Sequence, residues 1–365
     1  MRIPARLSTA LLVTLIATGA CGRSDASRSA GAITATLALD IPGDSAHFGR
    51  IGSISVLAGA AVLPGGSIAI ADQREQRLLL FDRAGKLLHQ AGGTGSGPGE
   101  FRAIRWLGRC GGDSLYVWDV ADNRVTVFDS ALRRAREFHL PPGAWKVACN
   151  DAGELLTMAS PPRTTPMPSA DAPQLRTVVL MLSRTGDTIA KLESVPAGRN
   201  RPTAPVTEIA RTRDHVLIGT GDSALIEQFS PMGVRAGLLR VDIADRVQTE
   251  AEYNAAIDSV YLAPIPPSLQ RDRLRKLIGE IPKLARPAWY RQLLADSSGN
   301  AWVIPYWPLD SIQVAYGVAP DGKALGYIPL PRGVNVLEIG PDFLLGWRTD
   351  SNRIDHVVMY RFHRK

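Results

Sequence analysis

From residue 32 onward the chain alternates short apolar runs with Gly, Asp, Asn and Pro turns, a pattern that predicts strands. One phrase occurs twice. Residues 66–82 read GSIAIADQREQRLLLFD, and residues 113–129, 47 positions later, read DSLYVWDVADNRVTVFD. In each, an apolar run ends at an Asp, a polar turn follows, and a second run ends in Phe-Asp. Asp72 aligns with Asp119, Arg77 with Arg124, Phe81 with Phe128 and Asp82 with Asp129, without a gap. A repeat of that period marks an array whose units cannot bury their cores alone.

Weaker copies follow. Residues 153–159 with 177–186, 214–219 with 224–233, 299–304 with 311–322, and 342–347 with 354–362 complete four further units. Each unit carries another apolar run before its first turn, such as Ile104–Leu107 or Val334–Ile339. Six units of four strands predict an all-β, six-bladed β-propeller over residues 32–365. The last unit runs out after Phe362. Residues 32–40, AITATLALD, alternate well and are expected to supply its missing outer strand, which closes the ring and hides two sheet edges.

The Gly93–Phe101 segment, GTGSGPGEF, is followed by Val117-Trp118-Asp119, Asn123-Arg124-Val125 and Val127-Phe128-Asp129. These residues resemble the NHL-repeat type of six-bladed β-propeller found among bacterial lipoproteins. The likeness is concentrated in residues 60–130, and the later units lack the Asn-Arg element. The resemblance implies a fold; it does not assign an activity.

In a propeller each blade meanders from an inner to an outer strand. First-to-second and third-to-fourth connections then share one face, and the remaining connections share the other. Third-to-fourth turns are tight, as at Arg83-Ala84-Gly85 and Pro320-Asp321-Gly322, and so are the first-to-second turns at 150–153 and 296–300. The long segments 92–103, 159–176 and 244–290 all belong to the opposite face. Long loops on a rigid scaffold usually carry binding, so this face is expected to be the working one.

Residues 244–290, between blades four and five, form a helical insertion in this reading. Thr249–Tyr253 starts like a capped helix. Tyr253, Ile257, Val260 and Tyr261 share a face, and in the stretch 268–281 so do Leu269, Leu274, Leu277, Ile278 and Ile281. The pair is expected to lie over the axial mouth as a lid.

The first residues read as an address. Arg2 and Arg6 precede an apolar run, Leu7–Ala17, that is too short for a finished membrane span. Thr18-Gly19-Ala20-Cys21 resembles the lipobox of bacterial lipoproteins. That predicts a signal peptide over 1–20, a lipid on Cys21 and a flexible tether over 21–31. The expected location is the cell envelope, at the outer membrane facing the periplasm, with the anchor as the only membrane contact. A monomer is expected. The formal net charge of +7 falls by two when Arg2 and Arg6 leave. Lys and Arg form no long block interleaved with aromatics, so no nucleic-acid partner is expected. Cys110 and Cys149 end the inner strands of consecutive blades on the short-turn face. A disulfide between them is expected in an oxidising compartment.

Recognisable chemistry is sparse. GTGSGPGE lacks the Gly-Lys-Ser/Thr of a phosphate loop and precedes a strand. No two of the six histidines have zinc-ligand spacing, and there is no GxSxG. The function expected is therefore non-catalytic: a scaffold for a protein, peptide or carbohydrate ligand, with no cofactor. Candidate binding residues are Arg102, Arg105, Trp145, Tyr290, Arg291, Tyr306 and Trp307, which fall near the elaborated face. The alternative is a metal-dependent lactonase or lyase-like hydrolase with axial Ca²⁺, to which Asp72, Glu100, Asp119 and Asn123 could contribute oxygens.

Overall fold

Four antiparallel strands, repeated six times, build the ring. The computed structural model describes residues 31–43, 57–160, 176–196, 203–262, 271–279, 284, 286–306, 313–352 and 354–363. Blade one comprises Leu57–Val62, Ile68–Asp72, Arg77–Phe81 and Leu87–Gly92, and blade two Ile104–Cys110, Ser114–Asp119, Arg124–Phe128 and Arg134–His139. Blade three comprises Ala144–Cys149, Leu155–Ala159, Arg176–Leu182 and Thr188–Pro196, and blade four Glu208–Arg211, Val216–Gly219, Leu225–Phe229 and Arg235–Arg240. Blade five comprises Tyr290–Ala295, Ala301–Pro305, Gln313–Val318 and Ala324–Leu330. Blade six takes Asn335–Ile339, Phe343–Thr349 and Asp355–Phe362, and its outer strand is the N-terminal Ala35–Pro42. The expected closure is therefore present. Ala35 pairs with Phe362 and Pro42 with His356. Arg348 donates to Asp40 at 2.7 Å, and the His356 ring lies 2.6 Å from the same carboxylate.

The core lies between blades. Trp302, Ile328, Val336 and Phe362 join blades five and six, and Phe81, Ile70, Leu345 and Met359 join six and one. Four further clusters bridge the other neighbours. The second strand is buried on both faces, as at Ile68–Asp72, so its sequence is almost continuously apolar. The outer strand Leu87–Gly92 has no buried residue and carries His89 and Gln90 on its exposed stretch. Inner strands approach closely: a Cβ at Gly59 would sit 3.0 Å from the carbonyl oxygen of Leu107 in the next blade.

The turns of the repeated phrase explain its residues. Asp72 accepts the backbone N–H groups of Arg74 and Glu75, and Asp119 those of Arg102, Ala103, Ala121 and Asp122. Gln76 and Asn123, 47 positions apart, both take positive φ at the end of that turn. Arg124 donates to the carbonyl oxygens of Ser96 and Glu100 and pins the Gly-rich connector. That connector folds on itself, with Phe101 donating its N–H to Gly93 and burying its ring between blades one and two.

The insertion between blades four and five contains α1 (Glu250–Ala256), a π-helical turn (Ile257–Leu262) and α2 (Arg271–Gly279). Thr249 and Glu252 form the reciprocal cap expected from the sequence. Tyr253, Ile257, Leu262 and Ile278 make a small core of their own, with Leu274 against it. Leu277, assigned to the apolar stripe by spacing, is instead 52% exposed. The side chains of Val260 and Tyr261, and residues Leu269 and Ile281, lie outside the described residues. So do the leader and Cys21, and most of the 159–176 loop.

Candidate functional site

The six inner strands surround an axial cavity of about 610 Å³, a size typical of small-molecule sites. These strands all begin at the face of the long connections and end at the face of the short turns. Their first residues therefore form the mouth.

The sequence builds that mouth with β-bulges. In blade one Leu57 pairs with Asp72 and Gly59 with Ala71, which leaves Ala58 without an opposite partner. The same irregularity leaves out Arg105 in blade two, Trp145 in blade three, Arg291 in blade five and Leu337 in blade six. Blade four, Glu208–Arg211, pairs without a break. An extra residue bends its strand and redirects its side chain. All five extra residues line the cavity.

Below the mouth the charges are mostly engaged. Lys146 forms an ion pair with Glu208, whose second oxygen accepts the Leu293 N–H. Burial raises the pKa of Glu208, against the pull of the Lys146 ammonium. Glu338 accepts the Val62 N–H at 2.8 Å and lies 3.7 Å from the Arg109 guanidinium. Burial pushes Glu338 up to about 7, with the Val62 N–H and Arg109 opposing and Asp151 adding to the rise. Arg109 also holds Asp151 at 3.3 Å. Arg211, with a fully buried side chain, pairs with Glu154 at 2.6 Å and donates to the Thr212 and His215 carbonyls. Asp296 accepts from Asn300 and from the Trp302 indole.

At the short-turn end Cys110 and Cys149 are bonded, with Cα atoms 5.7 Å apart. This staples the inner strands of blades two and three.

The candidate residues separate. Arg105, Trp145 and Arg291 come together at the mouth. Trp145 is half-buried, and its indole N–H donates to Thr177. Arg291 donates to the Gln313 amide oxygen at 2.7 Å, and desolvation lowers its pKa.

Tyr290 does not belong to the mouth. It is 1% exposed in the core of blades four and five, accepts the Gly221 N–H and donates to the Leu225 carbonyl. Burial raises its pKa far above the usual phenol value. A Cβ at Gly219 would fall 1.9 Å from its hydroxyl, which is why that position is glycine. Its adjacency to Arg291 places it among the candidates, but Tyr290 keeps a ladder partner in Pro305 while the bulge re-aims only the residue after it.

Arg102 is 55% exposed and pairs with Asp122 at 3.1 Å, away from the axis. Tyr306 lines a small cleft with Trp289, Arg246 and Pro305, and its hydroxyl is near enough to Arg291 to favour that cation's charged form. Trp307 lies outside the described residues. Among the described residues, none from 244–289, the segment expected as a lid, lines the cavity.

Asp72, Glu100, Asp119 and Asn123 do not line the cavity. Their side chains are spent on backbone groups, Glu100 on the Gly97 N–H and Asn123 on the Leu140 carbonyl. Among the described residues no three His, Cys, Asp or Glu side chains converge as a metal-holding group.

Lys146, Glu208, Arg109, Arg211 and Glu338 escaped the sequence reading. Their signal was a charge inside a short apolar run, as in AWKVAC or NVLEI.

With this geometry in view, the comparisons with known proteins agree on architecture. The sequence profile of the DUF5128 family, described as a 6-bladed beta-propeller, matches residues 44–151. The fold is a six-bladed propeller. A Bacteroides fragilis protein, described as exported by inference, superposes with a TM-score of 0.52 at 12% identity, covering 91% of this chain and 95% of its own. A member of the duf4221 family from Bacteroides vulgatus gives 0.51 at 9% identity, covering 92% and 99%. At these identities the likeness is one of fold. Comparison with curated proteins gives no match. Among the described residues no helix is long and apolar enough to cross a membrane.

Proposed function

We propose that this chain is a cell-envelope propeller that binds a ligand at its axial mouth without performing chemistry on it. The observation that carries this reading is the mouth itself. Three of the five bulged positions place Arg105, Trp145 and Arg291 at a cavity of about 610 Å³. Bulges cost ladder hydrogen bonds and recur where a side chain must be re-aimed. A cavity of this volume takes a small organic molecule or the end of a peptide or glycan chain. The two acids on the inner strands support binding over catalysis. Glu208 is committed to Lys146 and Leu293, and Glu338 to Val62 and Arg109.

The N-terminal pattern assigns the location: Cys21 carries the lipid, and the tether holds the propeller near the outer membrane on its periplasmic side. Two measurements test the proposal. Cys21→Ala should abolish metabolic lipid labelling and leave precursor behind; unchanged labelling refutes the anchor. A thermal-shift screen of small molecules should give hits that Trp145→Ala loses and Arg102→Ala keeps. Hits indifferent to Trp145 would remove the axial mouth as the site.

A further inference from the structure

The mouth carries two cations that no described carboxylate neutralises. The blades follow one another around the ring, so blades two and five face each other across the axis, as do blades three and six. Arg105 and Arg291 therefore project from opposite walls, with Trp145 on blade three, next to the blade that carries Arg105. On the third diameter Ala58 contributes a methyl group, and blade four opposite it contributes Glu208.

The charge balance at this level is one-sided. Glu208, the nearest acid on the inner strands, is taken by Lys146 and the Leu293 N–H. Neither Arg105 nor Arg291 forms an ion pair with a described residue, and the partner of Arg291 is the neutral amide of Gln313. Both arginines are solvent-exposed. A planar guanidinium offers an oxyanion paired donors.

We propose that the mouth is a clamp for a small amphipathic oxyanion, a carboxylate or phosphate ester held between Arg105 and Arg291 with its apolar body against Trp145. This rests on the reading that the axial cavity binds a ligand.

The test is calorimetric titration of the full chain with benzoate, phenyl phosphate, inorganic phosphate and benzyl alcohol. Benzoate, phenyl phosphate or both should bind, more weakly as salt rises. Inorganic phosphate, which lacks the apolar body, and benzyl alcohol, which lacks the charge, should each bind at least tenfold more weakly. Arg105→Ala with Arg291→Ala should weaken the anions at least tenfold. Arg105→Gln with Arg291→Gln removes the charges at nearly constant size and should do the same if the alanine pair disturbs folding. Arg133→Ala, at a 79% exposed side chain paired with Asp129, should change nothing. Equal anion binding by the glutamine pair, or no binding of either aromatic anion by the unaltered chain, overturns the clamp. Benzyl alcohol bound as tightly as benzoate, and lost in Trp145→Ala, would end the clamp and keep the axial site. If binding of every probe ignores both Trp145 and the arginines, both readings fail.

Discussion

The two ends of the axial cavity are made by the same six strands, yet they treat charge differently. At the short-turn end Arg109 serves Glu338 and Asp151, Arg211 serves Glu154, and a disulfide joins two neighbouring strands. At the mouth, bulges bring Arg105 and Arg291 to the cavity with no described acid to meet them. One end spends its polar groups on itself. The other leaves donors for something else. The difference teaches that axial position, more than residue type, separates an arginine paired within the fold from one that no described acid meets.

The largest test of that division removes the staple. Cys110 and Cys149 are 39 residues apart, and closing a loop of that length corresponds to about 4 kcal/mol in the chain-entropy account. Cys110→Ala with Cys149→Ala should lower unfolding free energy by that order in denaturant titration. Anion binding at the mouth should persist wherever the chain remains folded; its loss there would couple the two ends.

The next effect is a pH dependence belonging to the short-turn end. Glu338 ordinarily would titrate near 4.5, and in the fold it is pushed up to about 7. Between those values the folded chain binds more protons than the unfolded one, so stability falls as pH rises through the window. The full shift amounts to roughly 3 kcal/mol. Glu338→Gln keeps an acceptor for the Val62 N–H and should flatten this slope in pH-resolved denaturation. An unchanged slope would show that Glu338 does not produce it.

Two smaller changes sharpen the boundary of the mouth. Tyr290→Phe leaves the Gly221 N–H unmet in the core and should cost about 1–2 kcal/mol of stability, with no change in ligand affinity. Arg102→Ala breaks an exposed pair and should shift stability by less than about 0.5 kcal/mol, again without touching affinity. A clear affinity loss in either variant would enlarge the site beyond the bulged ring.

Much of the architecture was legible in the chain. The 47-residue echo of Asp72, Arg77 and Phe81 in Asp119, Arg124 and Phe128 gave the blade, because the same turn needs the same acceptor and the same buried ring. Turn lengths gave the two faces. The site was only partly legible. Arg105, Trp145 and Arg291 are picked out by type and by nearness to long connections, but so are Arg102 and Tyr290, which do not line the cavity. A strand's inward and outward sides depend on register, and a bulge shifts register by one residue without marking the sequence.

By itself, then, the sequence determined the repeat, the number of blades, the closing N-terminal strand and the helical insertion, since each follows from local periodicity and turn chemistry. Only the tertiary structure decided which charges meet. Lys146 and Glu208 are 62 residues apart, Val62 and Glu338 are 276 apart, and none of the insertion's described residues lines the cavity. Such pairings arise when the ring closes and brings six distant inner strands around one axis, a condition that no window along the chain contains.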